Sequence, residues 1–317
     1  MVPFWHSYGG SMNKFLLGLV ALTLAACSPA NQPALSANDQ SSGILGGETV
    51  VATDAIAKST VGVFDTFQGG ACTGTLLSKN VILTAAHCVQ SGKGYLKILF
   101  GLDLSAAKKV EATEAKGHDR YTEAMDDLEK ILQTIVDSTL PGDERQQKIF
   151  VAMDEYKNWG DLALIKIGED APAEFVPAEI LEDGRYIQNG STITLAGYGI
   201  TKPYSEQKPD DKDETILRKV DIKVANAVFS ETEVSFDQSE GRGACHGDSG
   251  GPAYVKIGDK IKLFGITSRG LSDPDDSCRK LSGYTYLPVY KEWVKETIAA
   301  WEKPKTEKPK TTGASKN

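Results

Sequence analysis

The stretch Gly243-Ala-Cys-His-Gly-Asp-Ser-Gly-Gly-Pro252 decides the expected fold and chemistry of this chain. It places Ser249 in a glycine-rich turn directly after Asp248. A serine hydroxyl is a poor nucleophile unless a base accepts its proton and fixed donors stabilise the charge that develops on the substrate oxygen. The small residues in this turn allow two backbone N–H groups to point at one spot. We therefore predict an oxyanion hole formed by Gly247 and Ser249.

Two upstream segments contain the other groups that such a serine needs. His87 lies in Thr84-Ala-Ala-His-Cys88 and is the candidate general base. Asp161, which precedes a run of apolar residues, is the candidate for orienting that histidine, and Asp154 is its rival. The pattern predicts an activated-serine hydrolase in which His87, Asp161 and Ser249 are the catalytic residues.

In the order histidine, aspartate, serine, these segments closely resemble the trypsin/chymotrypsin family of serine endopeptidases. Ile44-Leu-Gly-Gly47 is similar to the family's mature N-terminus. The resemblance covers residues 44 to about 302, the expected peptidase domain, and includes Ala196–Gly199, Gly265–Ser268 and Tyr290–Ile298. It implies an all-β fold of two antiparallel six-stranded β-barrels with a C-terminal helix. His87 and Asp161 are then expected in the first barrel and Ser249 in the second.

Short β-type runs separated by Gly, Asn or Asp occur along the chain without crossover helices. This pattern favours antiparallel barrels or a sandwich over a parallel α/β sheet. The resemblance selects the barrels, with the first at about 44–168 and the second at about 183–287. The runs are Val61–Phe64, Thr73–Leu77, Val81–Thr84, Leu96–Phe100, Leu162–Ile167, Thr192–Ala196, Leu217–Val224, Ala253–Ile257 and Ile261–Thr267.

An acidic insertion at about 111–147 departs from the strand pattern. Its apolar positions are spaced as on one face of a helix, and they are Leu128, Ile131, Leu132 and Ile135. Phe150–Tyr156 resembles the strand that precedes the aspartate loop, which would place the insertion before that strand. His118-Asp-Arg-Tyr121 gives a competing alignment, which would place the insertion beside the substrate cleft. We favour the first alignment.

The chain has five cysteines. The resemblance implies the disulfides Cys72–Cys88, beside the histidine, and Cys245–Cys278, beside the specificity pocket. Both require an oxidising compartment. Cys27 is left over, and it ends the sequence Leu24-Ala-Ala-Cys27, which resembles a bacterial lipobox. We therefore expect a lipid on Cys27, the alternative being an ordinary cleaved signal with an incidental cysteine.

The N-terminal region has the pattern of an export signal. Residues 1–26, with translation starting at Met1 or Met12, contain a short basic segment and an apolar run that is too short to cross a bilayer. Residues 27–43 are predicted to be a tether or propeptide, and residues 303–317 a disordered basic tail. The expected location is the bacterial envelope as a lipoprotein, or the medium after cleavage.

The resemblance also implies a zymogen. In the family, cleavage creates an α-amino group that pairs with a buried aspartate, here Ile44 with Asp248. A buried carboxylate is costly without a partner, so the uncleaved chain is expected to hold the oxyanion loop poorly. Gly43 precedes the cleavage point, so a separate activating protease rather than trypsin-type self-activation is expected.

The resemblance implies a specificity pocket with Gly243 at its floor and with Ser268, Gly270 and Gly283 around it. A floor without a carboxylate favours a large apolar or aromatic side chain before the scissile bond over a basic one. The alternative is a basic side chain attracted by the longer loop that follows. That loop contains Asp273, Asp275 and Asp276.

The charge and the histidine positions limit the classes of binding partner that we expect. A formal net charge of −8 gives no support to nucleic-acid binding. The four histidines are scattered, so we expect no metal and no cofactor. The expected partners are protein or peptide substrates, an activating protease and, through Cys27, the membrane before activation, with the chain a monomer. The alternative function is a non-catalytic surface binding module on the same fold, and an esterase is a third possibility.

Overall fold

The computed structural model describes residues 44–208, 215–275 and 277–303. Thirteen strands and three α-helices are found in this part of the chain. The predicted signal peptide, the whole tether and all of the tail except Lys303 lie outside the described residues. No helix among the described residues is long and apolar enough to span a membrane.

The strands form two closed six-stranded antiparallel β-barrels, and this confirms the predicted fold class. A short strand, β1 (Glu48–Thr49), precedes them. Side chains at every second position of a strand face the interior of its barrel, as Leu96, Ile98 and Phe100 do in the first barrel. The first barrel, in the order β2-β3-β4-β7-β6-β5, consists of β2 (Thr60–Asp65), β3 (Gly70–Ser78), β4 (Val81–Thr84), β5 (Leu96–Phe100), β6 (Lys108–Gly117) and β7 (Ala163–Ile167).

The second barrel closes through the pairing of β8 with β9. β1 pairs with β9 of this barrel, although the sequence placed the residues from 44 onward in the first one. Its strands are β8 (Thr192–Gly197), β9 (Arg218–Asn226), β10 (Glu233–Asp237), β11 (Pro252–Ile257), β12 (Lys260–Leu271) and β13 (Leu281–Tyr286).

The insertion is a pair of helices, α1 (Asp119–Val136) and α2 (Gly142–Glu155). The favoured alignment was wrong, because residues 150–155 belong to α2 and not to a strand. Instead β6 runs to Gly117 and pairs with β7, so the helices follow His118 and end just before Asp161. The strand was missed because β6 is largely polar, with one face exposed to solvent.

The insertion has an apolar core of its own. Leu128 and Leu132 are buried there together with Ala124 and Trp159, as the predicted helical spacing requires. Ile135 is partly buried against this core, whereas Ile131 is exposed. The helical face was therefore predicted correctly at three of its four positions.

A C-terminal helix, α3 (Lys291–Glu302), follows the second barrel as predicted. Val294 of α3 belongs to a hydrophobic cluster that includes residues of both barrels, among them Leu83 and Tyr254. The Lys166 amino group of β7 donates a hydrogen bond to the carbonyl oxygen of Trp301, at 2.7 Å. These contacts hold the two barrels against each other and so fix the seam between them.

Candidate active site

His87 and Asp161 are in direct contact. His87 lies in the 3₁₀ turn Ala86–Val89 after β4, and Asp161 lies just before β7, the strand that pairs with β4. The His87 Nδ1 atom is 2.8 Å from Asp161 Oδ2, and the His87 main-chain N–H donates to Asp161 Oδ1 at 3.1 Å. Two bonds from one residue fix both the position and the ring orientation of the histidine. Asp154, the rival candidate, instead accepts hydrogen bonds from Ser272.

The contact shifts the pKa of both residues. Burial alone would lower the pKa of His87, but the charge of Asp161 and its hydrogen bond raise it above its ordinary value. Burial alone would raise the pKa of Asp161, but the charge of His87 and the hydrogen bonds from His87 and Ser268 lower it. Asp161 is thus ionised at neutral pH, and it stabilises the imidazolium form of His87.

Ser268, which the sequence analysis assigned to the specificity pocket, instead holds Asp161 in place. Its hydroxyl group donates to Asp161 Oδ2 at 2.7 Å, and its side chain is buried. The Thr285 hydroxyl donates to the Asp161 carbonyl oxygen at 2.9 Å. Both donors belong to the second barrel, so Asp161 is held from across the seam. Contacts this far apart in sequence carry no local pattern by which they could be predicted.

The Ser249 turn is packed closely against the first barrel. A Cβ atom at Gly250, whose φ is +80°, would lie 2.1 Å from the Thr84 hydroxyl oxygen, so only glycine fits there. Thr73 of β3 donates its N–H to the Ser249 carbonyl oxygen at 2.8 Å and its hydroxyl to the Gly247 carbonyl oxygen at 2.9 Å. Thr73 is a further residue that the sequence did not reveal.

The same packing brings the turn to the histidine segment. The sulfur atom of Cys88, the neighbour of His87, lies 3.7 Å from the carbonyl oxygen of Ser249. The structure therefore brings the segments of all three predicted catalytic residues together at the seam.

Asp248 is completely buried beneath this turn. Its carboxylate accepts hydrogen bonds from the N–H groups of Gly199 at 2.8 Å and Cys245 at 2.9 Å. The main-chain N–H of Ile44 also donates to it, and the Ile44 side chain is buried. Burial raises the pKa of Asp248 to about 7, although the three main-chain hydrogen bonds oppose the shift. A buried carboxyl group thus faces Ile44 without a cationic partner among the described residues.

The trypsin family profile matches residues 44–130 and 132–294 of the chain. The chain belongs to the trypsin family.

This trypsin-family chain is similar to curated proteins that are named as peptidases. It is 24% identical over 245 residues to chymotrypsin-like elastase family member 1 of Macaca fascicularis, covering 72% of this chain and 79% of that protein. It is 29% identical over 238 residues to kallikrein 1-related peptidase b8 of Mus musculus, covering 72% and 80%. It is 25% identical over 233 residues to a chymotrypsin of Phaedon cochleariae, covering 73% and 72%. These similarities support a serine endopeptidase.

The two predicted disulfides, Cys72–Cys88 and Cys245–Cys278, are both present in this trypsin-family domain and are confirmed. The first joins β3 to the His87 turn. The second joins the Ser249 loop to the segment before β13. Each therefore restrains one of the loops that carry candidate catalytic residues. Cys27 lies outside the described residues.

The predicted pocket residues do not all share one side of the sheet. A Cβ atom at Gly270 would meet nothing within 4 Å, so this position is open. Gly270 pairs with Ser282, whereas Gly283 pairs with Arg269 and would direct a Cβ atom towards Arg269 and Leu271. Because paired residues of an antiparallel sheet point to the same face, Ser282 rather than Gly283 lies on the face of Gly270.

The floor position of the predicted pocket, Gly243, is adjacent to a glutamine that the sequence analysis missed. A Cβ atom at Gly243 would lie 2.3 Å from Gln238 Oε1. The buried Gln238 amide donates to the carbonyl oxygens of Ala244 at 2.9 Å and Cys278 at 2.7 Å, and it accepts from the Ala244 N–H at 2.8 Å. The surroundings of Gly243 are thus neutral and hydrogen-bonded.

Proposed function

We propose that this protein is a serine endopeptidase that cleaves peptide bonds through an acyl-enzyme on Ser249. The observation that carries the proposal is the 2.8 Å contact between His87 Nδ1 and the buried Asp161 in a trypsin-family chain. His87 takes the Ser249 proton through its other ring nitrogen as the serine oxygen attacks the carbonyl carbon, and then gives it to the leaving amine. The same histidine activates the water that hydrolyses the acyl-enzyme. The N–H groups of Gly247 and Ser249 stabilise the oxyanion in both steps.

The test compares the wild type with two serine variants in digestion of denatured casein. Ser249→Ala should abolish cleavage, since it removes the nucleophile. Ser239→Ala, at an exposed loop position, is the matched control and should cleave at the wild-type rate. A folded wild type that cleaves no peptide bond would reject the proposal and favour the non-catalytic binding module.

We further propose that the enzyme is made as a zymogen and activated by cleavage before Ile44. The buried Asp248, with its pKa raised to about 7, supports this, because a new ammonium group at Ile44 would supply the missing opposite charge. In the uncut chain the Ile44 main-chain N–H already donates to Asp248. Cleavage would therefore change the charge of the Ile44 nitrogen more than its position. Gly43→Arg creates a trypsin-sensitive bond before Ile44. Peptidase activity should rise after its cleavage, and equal activity before and after would reject the zymogen.

For specificity we infer a large apolar or aromatic side chain before the scissile bond. The neutral surroundings of Gly243 and the open position at Gly270 support this preference. Asp273, which the sequence offered as an alternative attraction for a basic side chain, accepts a hydrogen bond from Ser277 of its own loop at 2.7 Å. Mass-spectrometric mapping of cleavages in a peptide library tests the inference. Cleavage mainly after Lys or Arg would contradict it.

We also propose export to the bacterial envelope, with a lipid on Cys27, release by activation, and a monomeric enzyme. The two disulfides support an oxidising compartment. The precursor should partition into a detergent phase, and Cys27→Ser should move it to the aqueous phase. Equal partition of the two would reject the anchor, and size-exclusion chromatography with light scattering tests the monomer.

A further inference from the structure

A threonine of the first barrel contacts both residues whose N–H groups form the predicted oxyanion hole. Thr73 of β3 is completely buried. Its hydroxyl group donates to the carbonyl oxygen of Gly247 at 2.9 Å, and its main-chain N–H donates to the carbonyl oxygen of Ser249 at 2.8 Å. One residue thus holds the carbonyl groups on both sides of Asp248.

The partners of the Thr73 hydroxyl group determine its orientation. A hydroxyl group donates one hydrogen bond and accepts others. The Tyr198 main-chain N–H donates to the Thr73 hydroxyl oxygen at 3.1 Å, so the hydroxyl hydrogen is left for Gly247. Tyr198 is itself fixed to the first barrel, because its hydroxyl group donates to the carbonyl oxygen of Gly101 at 2.7 Å. The bond from Thr73 to Gly247 is therefore part of a chain of fixed contacts.

The peptide plane that joins Gly247 to Asp248 lies between the two predicted oxyanion donors. Because each peptide unit is planar, the orientation of this plane sets where the Ser249 N–H points relative to the Gly247 N–H. At one end of the plane, the Asp248 N–H donates to the Cys245 carbonyl oxygen at 3.0 Å, within the same loop. At the other end, the Gly247 carbonyl oxygen is held by Thr73, from the other barrel.

Gly247 does not hold this plane by its own conformational preference. Its φ is +94°, and glycine adopts positive and negative φ with similar ease. No larger residue could stiffen the position, since a Cβ atom there would lie 2.9 Å from the Gly199 Cα atom. The plane before Gly247 is fixed, because the Ile200 N–H donates to the His246 carbonyl oxygen at 2.8 Å. Without the Thr73 hydroxyl group, the plane after Gly247 would be held at its N–H end alone.

We propose that Thr73 is a positioning residue for the oxyanion hole. Its hydroxyl group holds the plane between Gly247 and Asp248 so that both N–H groups point at one substrate oxygen. The inference rests on the proposed peptidase function, because the oxyanion forms only when Ser249 attacks a substrate carbonyl. Removing an oxyanion donor outright lowers kcat by about 10²–10³. Loss of the Thr73 hydroxyl group should cost less, about tenfold, because the plane is still held at one end.

Two variants that differ only in the hydroxyl group test the inference. Thr73→Ser keeps the hydroxyl group, whereas Thr73→Ala lacks it, and both lack the methyl group. In protein cleaved before Ile44, kcat for a peptide from the casein digest should fall about tenfold in Thr73→Ala, with KM unchanged. Thr73→Ser should stay within about twofold of the wild type. If Thr73→Ala does not fold, Thr73→Val, which keeps the side-chain volume, takes its place.

Two inhibitors separate stabilisation of the oxyanion from binding of the peptide. In a peptide aldehyde, the Ser249 oxygen bonds to the aldehyde carbon, the C=O double bond becomes a single bond to an oxyanion, and His87 takes the serine proton. The corresponding peptide alcohol binds without forming a bond. In Thr73→Ala the inhibition constant of the aldehyde should rise about tenfold, and that of the alcohol by less than about twofold.

Thr75→Ala is the matched control for stability. Thr75 lies two residues further along β3 and is also buried, but its hydroxyl group is hydrogen-bonded to the Tyr254 hydroxyl group and not to the Ser249 turn. Thr75→Ala should lower the unfolding temperature much as Thr73→Ala does. It should change kcat and both inhibition constants by less than about twofold.

The possible results are distinguishable. An unchanged kcat in Thr73→Ala would overturn the inference, as would equal losses of kcat in Thr73→Ser and Thr73→Ala. Equal weakening of the aldehyde and the alcohol, or an equal loss of kcat in Thr75→Ala, would also overturn it. In each of these cases the wild type still cleaves peptides and the peptidase proposal stands. A folded wild type that cleaves no peptide bond would remove both proposals together.

Discussion

Replacing Ser268 by alanine tests how Asp161 is held. The Ser268 hydroxyl and the His87 ring donate to the same carboxylate oxygen, at 2.7 and 2.8 Å. A hydrogen bond to a buried charge contributes about 1.5–3 kcal/mol, and the alanine offers no replacement donor. The free energy of unfolding at pH 7 should therefore fall by about 1.5–3 kcal/mol. Urea denaturation followed by tryptophan fluorescence measures it.

The loss should depend on pH in a defined direction. The pKa of Asp161 in the folded protein lies below its ordinary value, partly because of the Ser268 hydrogen bond. The stabilisation from this carboxylate is present above the unfolded pKa of about 3.9 and is lost as the pH falls through the folded pKa. The difference between wild type and Ser268→Ala should therefore be largest at neutral pH and shrink in acid.

Ser59→Ala is the matched control. Its buried hydroxyl group is 2.8 Å from the Tyr254 hydroxyl, which is neutral throughout this range, so its cost should not change between neutral and acid pH. If Ser268→Ala behaved like Ser59→Ala, with a loss independent of pH, the interpretation of Ser268 as a donor to an ionised Asp161 would be refuted.

Three other predictions concern separate parts of the chain. The His118 side chain caps α1 by accepting a main-chain hydrogen bond, and burial lowers the pKa of His118. Hydrogen-exchange protection of α1 should therefore fall as the pH drops below about 6.5, because protonated His118 cannot accept this bond. His118→Asn should keep the cap and remove the pH dependence, and equal pH profiles for the two proteins would contradict the prediction. Gly250→Ala should reduce labelling of Ser249 by a serine-directed probe by about a hundredfold, because the new methyl group displaces the turn, and unchanged labelling would count against a tightly packed turn. Loss of Cys245–Cys278, which spans 33 residues, should cost about 3.7 kcal/mol in denaturation of the paired Cys→Ser variant, and a loss under about 1 kcal/mol would refute the loop-entropy argument.

Much of the fold could be predicted from the sequence because the decisive signals are local. All nine apolar runs became strands, since each is a short β-type run bounded by turn residues. The strands β1, β6, β10 and β13 were missed. β6 is a polar strand with an exposed face. Phe150–Tyr156 was taken for a strand, but all of it except Tyr156 belongs to α2. The hydrophobic pattern of a sequence predicts a strand poorly when that strand is polar and exposed to solvent.

The candidate site divides in the same way. His87, Asp161 and Ser249 were found because each lies in a short, recognisable stretch of sequence. Thr73 and Gln238 were not, because Thr73 binds Gly247 and Gln238 binds Cys278, each far away in the chain. Supporting residues of this kind have to be read from the structure.

The most direct test of the central claim is labelling with a fluorophosphonate probe, followed by peptide mapping, across a range of pH. We predict a single adduct on Ser249 whose rate of formation rises with pH through a midpoint above 6.5, because Asp161 raises the pKa of His87 and only neutral His87 accepts the serine proton. No adduct on Ser249 in the protein cleaved before Ile44, or an adduct whose rate does not depend on pH, would contradict the account.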